Sequence, residues 1–284
     1  MKWFLRRILV WVGRILAALG VRLPERIFRH LHFVGPFDVA LPNGTQIKLF
    51  SWGNRVENEL AWRGWNGHEP VERERWLQMV SRPGDVLDVG ANTGTFSFTA
   101  KAMKPDAKVV AFEPLNRIAD KIRKNVEVSG LPVEIVGAAV SSQVGELPIY
   151  DPGGPNAYSA SLEADFLPGE KDSYLVPVVT VDAYCAEHNL RPTAMKIDVE
   201  GSEAKALLGA KHILAARECL VLCEWLGNSS EHKLATDLID ELGLVAVDLV
   251  TLEPVDTMEA VTFGERNILI GPIELIRELG PLNV

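Results

Sequence analysis

The chain has 284 residues, 47% of them hydrophobic and 24% charged, a composition that excludes a disordered or fibrous protein and allows a sizeable core. Its net charge of -9 excludes a general nucleic-acid binder, because neutralising phosphates requires surplus Lys and Arg. Cys185, Cys219 and Cys223 are too few for a disulfide scaffold and lack paired metal-ligand spacing; Cys219 and Cys223, around an apolar run, read as small buried hydrophobes, and the usage fits a reducing, cytoplasmic compartment.

The charge is unevenly placed. Residues 1–30 carry Lys2, Arg6, Arg7, Arg14, Arg22, Arg26 and Arg29 against Glu25 alone, a local charge of +6 that leaves -15 for the rest. Residues 3–19 are apolar enough to suggest a membrane span, but Arg6, Arg7 and Arg14 interrupt them at high cost. No compact apolar run leads to a small-residue cleavage site, so a signal peptide fits poorly. Helical periodicity fits better. Phe4, Leu5, Ile8, Leu9, Trp11, Val12, Ile15, Leu16 and Leu19 fill one half of a helical wheel, and Lys2, Arg6, Arg7 and Arg14 lie on the other with Trp3 and Val10 among them. The predicted element is a basic amphipathic helix over 1–30. Its residues 1–20 suit an anionic membrane surface, which implies a peripheral place on the inner membrane face. The alternative is packing on the domain or on a second subunit.

Residues 31–80 form an extension before the main domain. Apolar and polar residues alternate over 33–50 around Pro42, Asn43 and Gly44, which predicts a hairpin, and 71–80 reads as a helix. From 81 to 284 the pattern is α/β. Strands are expected at 85–89, 108–112, 133–140, 194–197, 220–223, 244–249 and 267–270, and helices at 95–103, 117–128, 203–216 and 231–242. Short apolar strands separated by helices predict a doubly wound, mostly parallel sheet covered on both faces. The last two strands lie close without an intervening helix, so one of them should run antiparallel. Residues 145–180 form an insertion, loop-like at 151–159 with an extra strand at 175–181.

Ligands of open α/β sheets bind beyond the carboxyl ends of the strands. There the first strand meets its helix through residues 88–94, Asp-Val-Gly-Ala-Asn-Thr-Gly. Gly90 and Gly94 permit a sharp bend and close approach, and amides at the helix start can receive a carboxylate. A dinucleotide fingerprint would carry a glycine where Asn92 stands, so the turn favours a ligand with an amino-acid tail over a pyrophosphate. Glu113 ends the second strand, at the spacing where an acid accepts the hydroxyl hydrogens of a ribose. No Gly-Lys-Ser/Thr follows the glycines, which leaves a phosphate-loop NTPase unsupported.

Four blocks carry a family likeness: Gly-His-Glu-Pro at 67–70, the run 85–94, Phe-Glu-Pro at 112–114, and Lys-Ile-Asp-Val-Glu-Gly-Ser-Glu at 196–203. A weaker fifth is Val-Thr-Val-Asp at 179–182. From about residue 60 to 270 the sequence resembles the FkbM-type methyltransferases, a branch of the class I S-adenosylmethionine-dependent enzymes with a Rossmann-like fold. The resemblance implies a seven-stranded sheet and methyl transfer to a hydroxyl of a sugar, glycan, glycolipid or natural product. By position, Asp88, Gly90, Asn92 and Gly94 would hold the methionine part of the cofactor and Glu113 its ribose. Ala138 and Ala139 would border the adenine. His68 departs from the Tyr commoner at its place, and the amino-terminal helix is not part of the family core.

Methyl transfer to a hydroxyl needs near-attack geometry and a group to take the proton. Alternation puts Lys196, Asp198 and Glu200 on one face at the end of the fourth strand. Asp198 and Glu200 are the candidates for acceptor binding or base work, and Lys196 for tuning their charge. Asp198 with Glu224, which closes the fifth strand, could hold a divalent cation. Glu203, at a helix start, reads as electrostatic. His68, Glu69, Tyr158 and Ser159 are acceptor-contact candidates. Two other readings stay open: a nucleotide-dependent oxidoreductase, which Asn92 disfavours, and a non-catalytic cofactor-binding scaffold docked on membranes through residues 1–30.

Overall fold

The protein is described by a computed structural model that covers residues 12–13, 24–154, 159–166, 169–226, 229–255 and 267–282. Val12 and Gly13 are helical, and the remainder of the predicted amino-terminal helix up to residue 23 lies outside the described residues. A short helix over Glu25–Phe28 then brings Phe28 and Leu31 into the core.

Strands β1 (Val34–Ala40) and β2 (Gln46–Trp52) form the expected antiparallel hairpin, with Phe37 opposite Leu49 and Val39 opposite Ile47. Those four side chains are buried and their neighbours face outward, as a period of two requires. The helix Arg55–Arg63 follows, unforeseen because its inner face carries Glu57 and Asn58 beside Leu60 and Trp62. Buried polar residues interrupt the apolar stripe by which such a helix is recognised.

The remaining strands are β3 (Asp85–Val89), β4 (Val109–Phe112), β5 (Glu134–Val136), β6 (Ala139–Val140), β7 (Gly145–Asp151) and β8 (Asp172–Val179). They continue with β9 (Pro192–Ile197), β10 (Leu220–Glu224), β11 (Val245–Asp248) and β12 (Asn267–Gly271). Seven of them make one sheet in the order β11-β12-β10-β9-β3-β4-β5. It is parallel except at β12, which runs antiparallel to both β10 and β11, as the missing helix between the last two strands predicts.

Both faces of this sheet are covered. Val86, Ala111, Ala194 and Leu222 pack on one side with Trp76, Phe98 and the hairpin residues Phe37 and Ile47, so the extension and the sheet share one core. Leu87, Val110, Met195 and Val221 pack on the other with Leu207 and Leu238. The three cysteines are buried and free, in keeping with the reading of Cys219 and Cys223 as small hydrophobes. Among the described residues no helix is long and apolar enough to cross a membrane.

Two expected elements differ, and two more were not expected. The strand expected over 133–140 ends at Val136; after Gly137 the chain leaves the main sheet, and Ala139 pairs with Val178 in a second, three-stranded sheet ordered β6-β8-β7. The helix expected over 203–216 is two helices, Glu203–Leu208 and Lys211–Ala215. They part at Gly209, where a Cβ would lie 2.2 Å from the Ser141 carbonyl oxygen. Within the insertion β7 and β8 form a hairpin, and Asp151 anchors it through Arg117, whose guanidinium lies 2.7 Å away. The helix Val181–His188, capped by the Thr180 hydroxyl, was not foreseen because its sequence has almost no apolar face.

Candidate active site

The carboxyl ends of β3, β4 and β9 converge on a cavity that is partly open to solvent. Gly90 and Asn92 line it from the turn after β3, and Phe112 to Leu115 from the end of β4. Ala138, Ala139 and Val140 line it beyond β5, while Asp198, Val199 and Glu200 form the wall beyond β9. Ile149, Ala160 and Leu162 of the insertion close the remaining side.

Local chemistry sets each position. A Cβ on Gly90, whose φ is +78°, would lie 1.8 Å from the Asp198 carbonyl oxygen. The glycine therefore allows two strand ends to meet, a closer approach than any ligand would demand. Gly94 faces inward instead: a Cβ there would meet Phe98 and Ile122 at 2.9 and 3.2 Å, so its role is to seat the helix Thr95–Met103. Asn92 adopts a left-handed conformation (φ 53°), which asparagine tolerates, and its N–H donates to Glu113 Oε2 at 3.1 Å.

Glu113 is buried, and its other oxygen accepts from the Leu115 N–H at 3.0 Å. Burial outweighs those two donors and pushes its carboxyl up to about 8. Asp88 is buried behind the turn, where its Oδ2 accepts from the Ser97 hydroxyl at 2.5 Å, and it is not part of the cavity wall. Burial raises its pKa against the pull of Lys196.

A second polar group adjoins the cavity on the face covered by the helix Pro70–Val80. Lys196, buried, donates to Asp198 Oδ2 at 2.6 Å and lies 4.8 Å from the Phe96 ring centroid. Burial alone would lower its pKa, but Asp198, Glu69 and Asp88 raise it, so it stays a cation. Glu69 also feels burial, which would raise it, yet the His68 hydrogen bond with Lys196 and Arg73 takes it down to about 2. His68 bridges two carboxylates, Nδ1 to Glu59 at 2.8 Å and Nε2 to Glu69 at 3.1 Å. Burial opposes its protonation and those partners promote it more strongly. Glu224 is raised by burial and by Asp198.

The expected pair Asp198 and Glu224 is therefore brought together, but Lys196 already supplies Asp198 with a cation. Among the described residues no group of three or more His, Cys, Asp or Glu is placed to hold a metal ion. Of the acceptor-contact candidates, His68 and Glu69 join this polar group. Ser159 is described but lies outside the cavity wall, and Tyr158 falls outside the described residues. Glu203 is fully buried, with Oε1 accepting from the Gly201 N–H at 2.8 Å, and burial takes its carboxyl up to about 7. It fixes the loop after β9, a more specific task than the helix-start charge expected of it.

Arg73 was not singled out from the sequence. It is buried, donates to the His68 carbonyl at 2.7 Å and to Thr95 Oγ1 at 3.0 Å, and lies over the rings of Trp65 and Phe96. Its place three residues after Pro70 in the helix that follows Gly-His-Glu-Pro was the available signal. Glu69, Asn92 and Glu200, with φ of 47°, 53° and 55°, are left-handed residues with side chains, and all three stand at this site.

Residues 88–245, more than half of the chain, match the family model described as the methyltransferase FkbM domain. The AMB antimetabolite synthetase AmbE of Pseudomonas aeruginosa is 37% identical over 137 residues, covering 48% of this chain and 6% of that protein. The methyltransferase sdnD of Sordaria araneosa is 30% identical over 118 residues, covering 40% of this chain and 43% of the relative. The chain thus spans less than half the length of these curated relatives. Among solved structures, the methyltransferase FkbM from Methylobacillus flagellatus KT shares 16% identity at a TM-score of 0.37, covering 66% of this chain and 43% of that one. Aeropyrum pernix fibrillarin, solved with natively bound S-adenosyl-L-methionine, shares 15% at a TM-score of 0.40, covering 84% and 94%.

Proposed function

We propose, from the premise that this chain belongs to the FkbM methyltransferase family, that it transfers the methyl group of S-adenosylmethionine to a hydroxyl of a sugar, glycan, glycolipid or natural product. The observation that carries the reading is one cavity uniting Gly90, Asn92, Glu113, Ala138 and Ala139 with Asp198 and Glu200. The residues fit that cofactor. Glu113 uses one lone pair per oxygen on backbone N–H groups, and a carboxylate has further acceptor sites for two ribose hydroxyls. Leu115, Ala138 and Ala139 give an apolar border suited to adenine, and Gly90 and Asn92 face the amino-acid tail. When bound, the cofactor supplies an electrophilic methyl.

The chain's own task is then to hold the acceptor in line and receive its proton. Lys196 donates to one oxygen of Asp198, which leaves the other to accept a hydrogen bond from the acceptor hydroxyl; Glu200, on the same wall, orients it. A small-molecule acceptor also agrees with a relative that is an antimetabolite synthetase by name. Calorimetry should show binding of S-adenosylmethionine and not NAD; binding of NAD alone would instead identify an oxidoreductase. Asp198→Ala and Glu200→Ala should keep cofactor affinity and lose the methylated product that mass spectrometry detects in a complemented deletion strain. Retention of product in both would remove these residues from the mechanism.

The all-cationic polar face of residues 1–20 supports peripheral docking on an anionic membrane. Deleting residues 2–20 should reduce sedimentation with vesicles containing phosphatidylserine and spare cofactor binding. Unchanged sedimentation would assign the arm to protein packing.

A further inference from the structure

The ends of β3, β4 and β9 in the main sheet supply part of the cavity wall, whereas Ala139 and Val140 and the insertion belong to a different sheet. The attachment of the insertion is concentrated in a few residues. Ser161 is buried, and its hydroxyl donates to the Glu200 carbonyl at 2.5 Å. Its backbone exchanges both hydrogen bonds with Tyr150 of β7, at 2.8 and 3.1 Å. One residue therefore joins the insertion hairpin to the turn after β9.

Two positions on, Glu163 Oε1 accepts from the Ser202 hydroxyl at 3.0 Å and from Lys205 Nζ at 2.5 Å. The Phe166 ring covers Gly201 so closely that a Cβ there would lie 2.5 Å from it. Apart from the Tyr150 pair, these contacts land on Glu200, Gly201 and Ser202, a turn whose first residue is left-handed and lines the cavity, and on Lys205 in the helix that follows. Between the anchors, Ala160 and Leu162 present the apolar wall itself.

We propose that Ser161 and Glu163 are positioning residues that latch segment 159–166 onto the Glu200–Lys205 stretch, so that the insertion closes the cofactor cavity and sets Glu200 in one motion. The proposal rests on the reading of this cavity as the S-adenosylmethionine site. It follows that cofactor entry and release require the latch to open, and that its strength sets the residence time of the cofactor. Lys205 and Glu163 are both partly exposed, so the pair contributes as a screened interaction, and its loss speeds release by about fivefold.

Hydrogen exchange on the full chain tests this without any substitution, with S-adenosylhomocysteine as the probe. Amides of 159–166 and of 199–203 should slow together with those of 88–94. Protection of 88–94 with no change in 159–166 would overturn the latch while leaving the cofactor reading intact; no protection anywhere would sink the cofactor reading itself. Stopped-flow release from Glu163→Gln, Lys205→Met and the double variant supplies the second arm. Each should release the probe about fivefold faster, Glu163→Gln at an unchanged thermal midpoint and Lys205→Met at a lower one, because Lys205 also pairs with buried Glu231. The double variant should release it no faster than either single one, because the release effect of both lies in one coupled interaction. Release at the wild-type rate in all three would refute the proposal.

Discussion

Replacing Gly90 by Ala tests the contact on which the cavity is built. A Cβ at this position would stand 1.8 Å from the carbonyl oxygen of Asp198 and 2.8 Å from its carbonyl carbon. Non-bonded contacts of this kind settle near about 3.5 Å, so the turn and the end of β9 must part by roughly 1.5 Å. The left-handed backbone adds about 1–2 kcal/mol for any residue with a Cβ. Overpacking against a backbone that cannot swing aside adds about 1–3 kcal/mol. Together they amount to about 2–5 kcal/mol, and a chain of this size loses roughly 2 °C per kcal/mol, which gives a fall in Tm of about 4–10 °C. Gly90 and Asp198 both line the cavity, so a shift of that size weakens S-adenosylhomocysteine binding by at least about tenfold. Gly94→Ala is the control. Its backbone cost is similar, but its Cβ meets the side chains of Phe98 and Ile122, which can shift, so the loss in affinity should be smaller. Scanning calorimetry and isothermal titration give both quantities. A Gly90→Ala protein with wild-type midpoint and affinity would refute the reasoning.

Two further predictions follow from the buried charges. Glu113 is raised from 4.5 to about 8, so its neutral form stabilises the fold fully below 4.5 and that contribution fades as pH rises through 8. Ribose binding needs the carboxylate, so cofactor affinity should climb by about tenfold per pH unit from 6 to 8 and then level off; titration calorimetry showing a flat profile in wild type, or the same slope in Glu113→Gln, contradicts it. Lys196→Met strips a cation from between Asp198, Glu69 and Asp88, and leaving such carboxylates unpaired costs about 3–5 kcal/mol in urea unfolding. A loss below about 1 kcal/mol would mean that the pair is solvent-screened.

The parts legible in the sequence were those with a local physical signature. Alternation around Pro42, Asn43 and Gly44 announced the hairpin, and the glycine turn at 88–94 with Glu113 announced the cavity. What stayed hidden depends on partners remote in the chain. Gly209 parts two helices where Ser141 lies against it, and Ala139 leaves the main sheet to pair with Val178, 39 residues away in the chain. Arg73 and Glu203 read as ordinary helix charges until the fold buries them. Asp88 carries the family motif yet faces Ser97 behind the turn, a direction that position along a strand end does not decide. Ser161 sits in a stretch with no periodicity, and its significance arises from Glu200 being brought beside it.

The left-handed residues Glu69, Asn92 and Glu200 have a consequence for anyone evolving or engineering this protein. Glycine would relieve backbone strain at Asn92 and Glu200, so selection for heat resistance alone favours their loss, whereas Glu69 is held by His68 and the nearby Lys196 charge in the buried polar group. A variant library ranked by melting temperature would therefore drift toward a sturdier protein with an emptied reaction chamber. Holding Asn92 and Glu200 constant while the rest is optimised separates durability from chemistry.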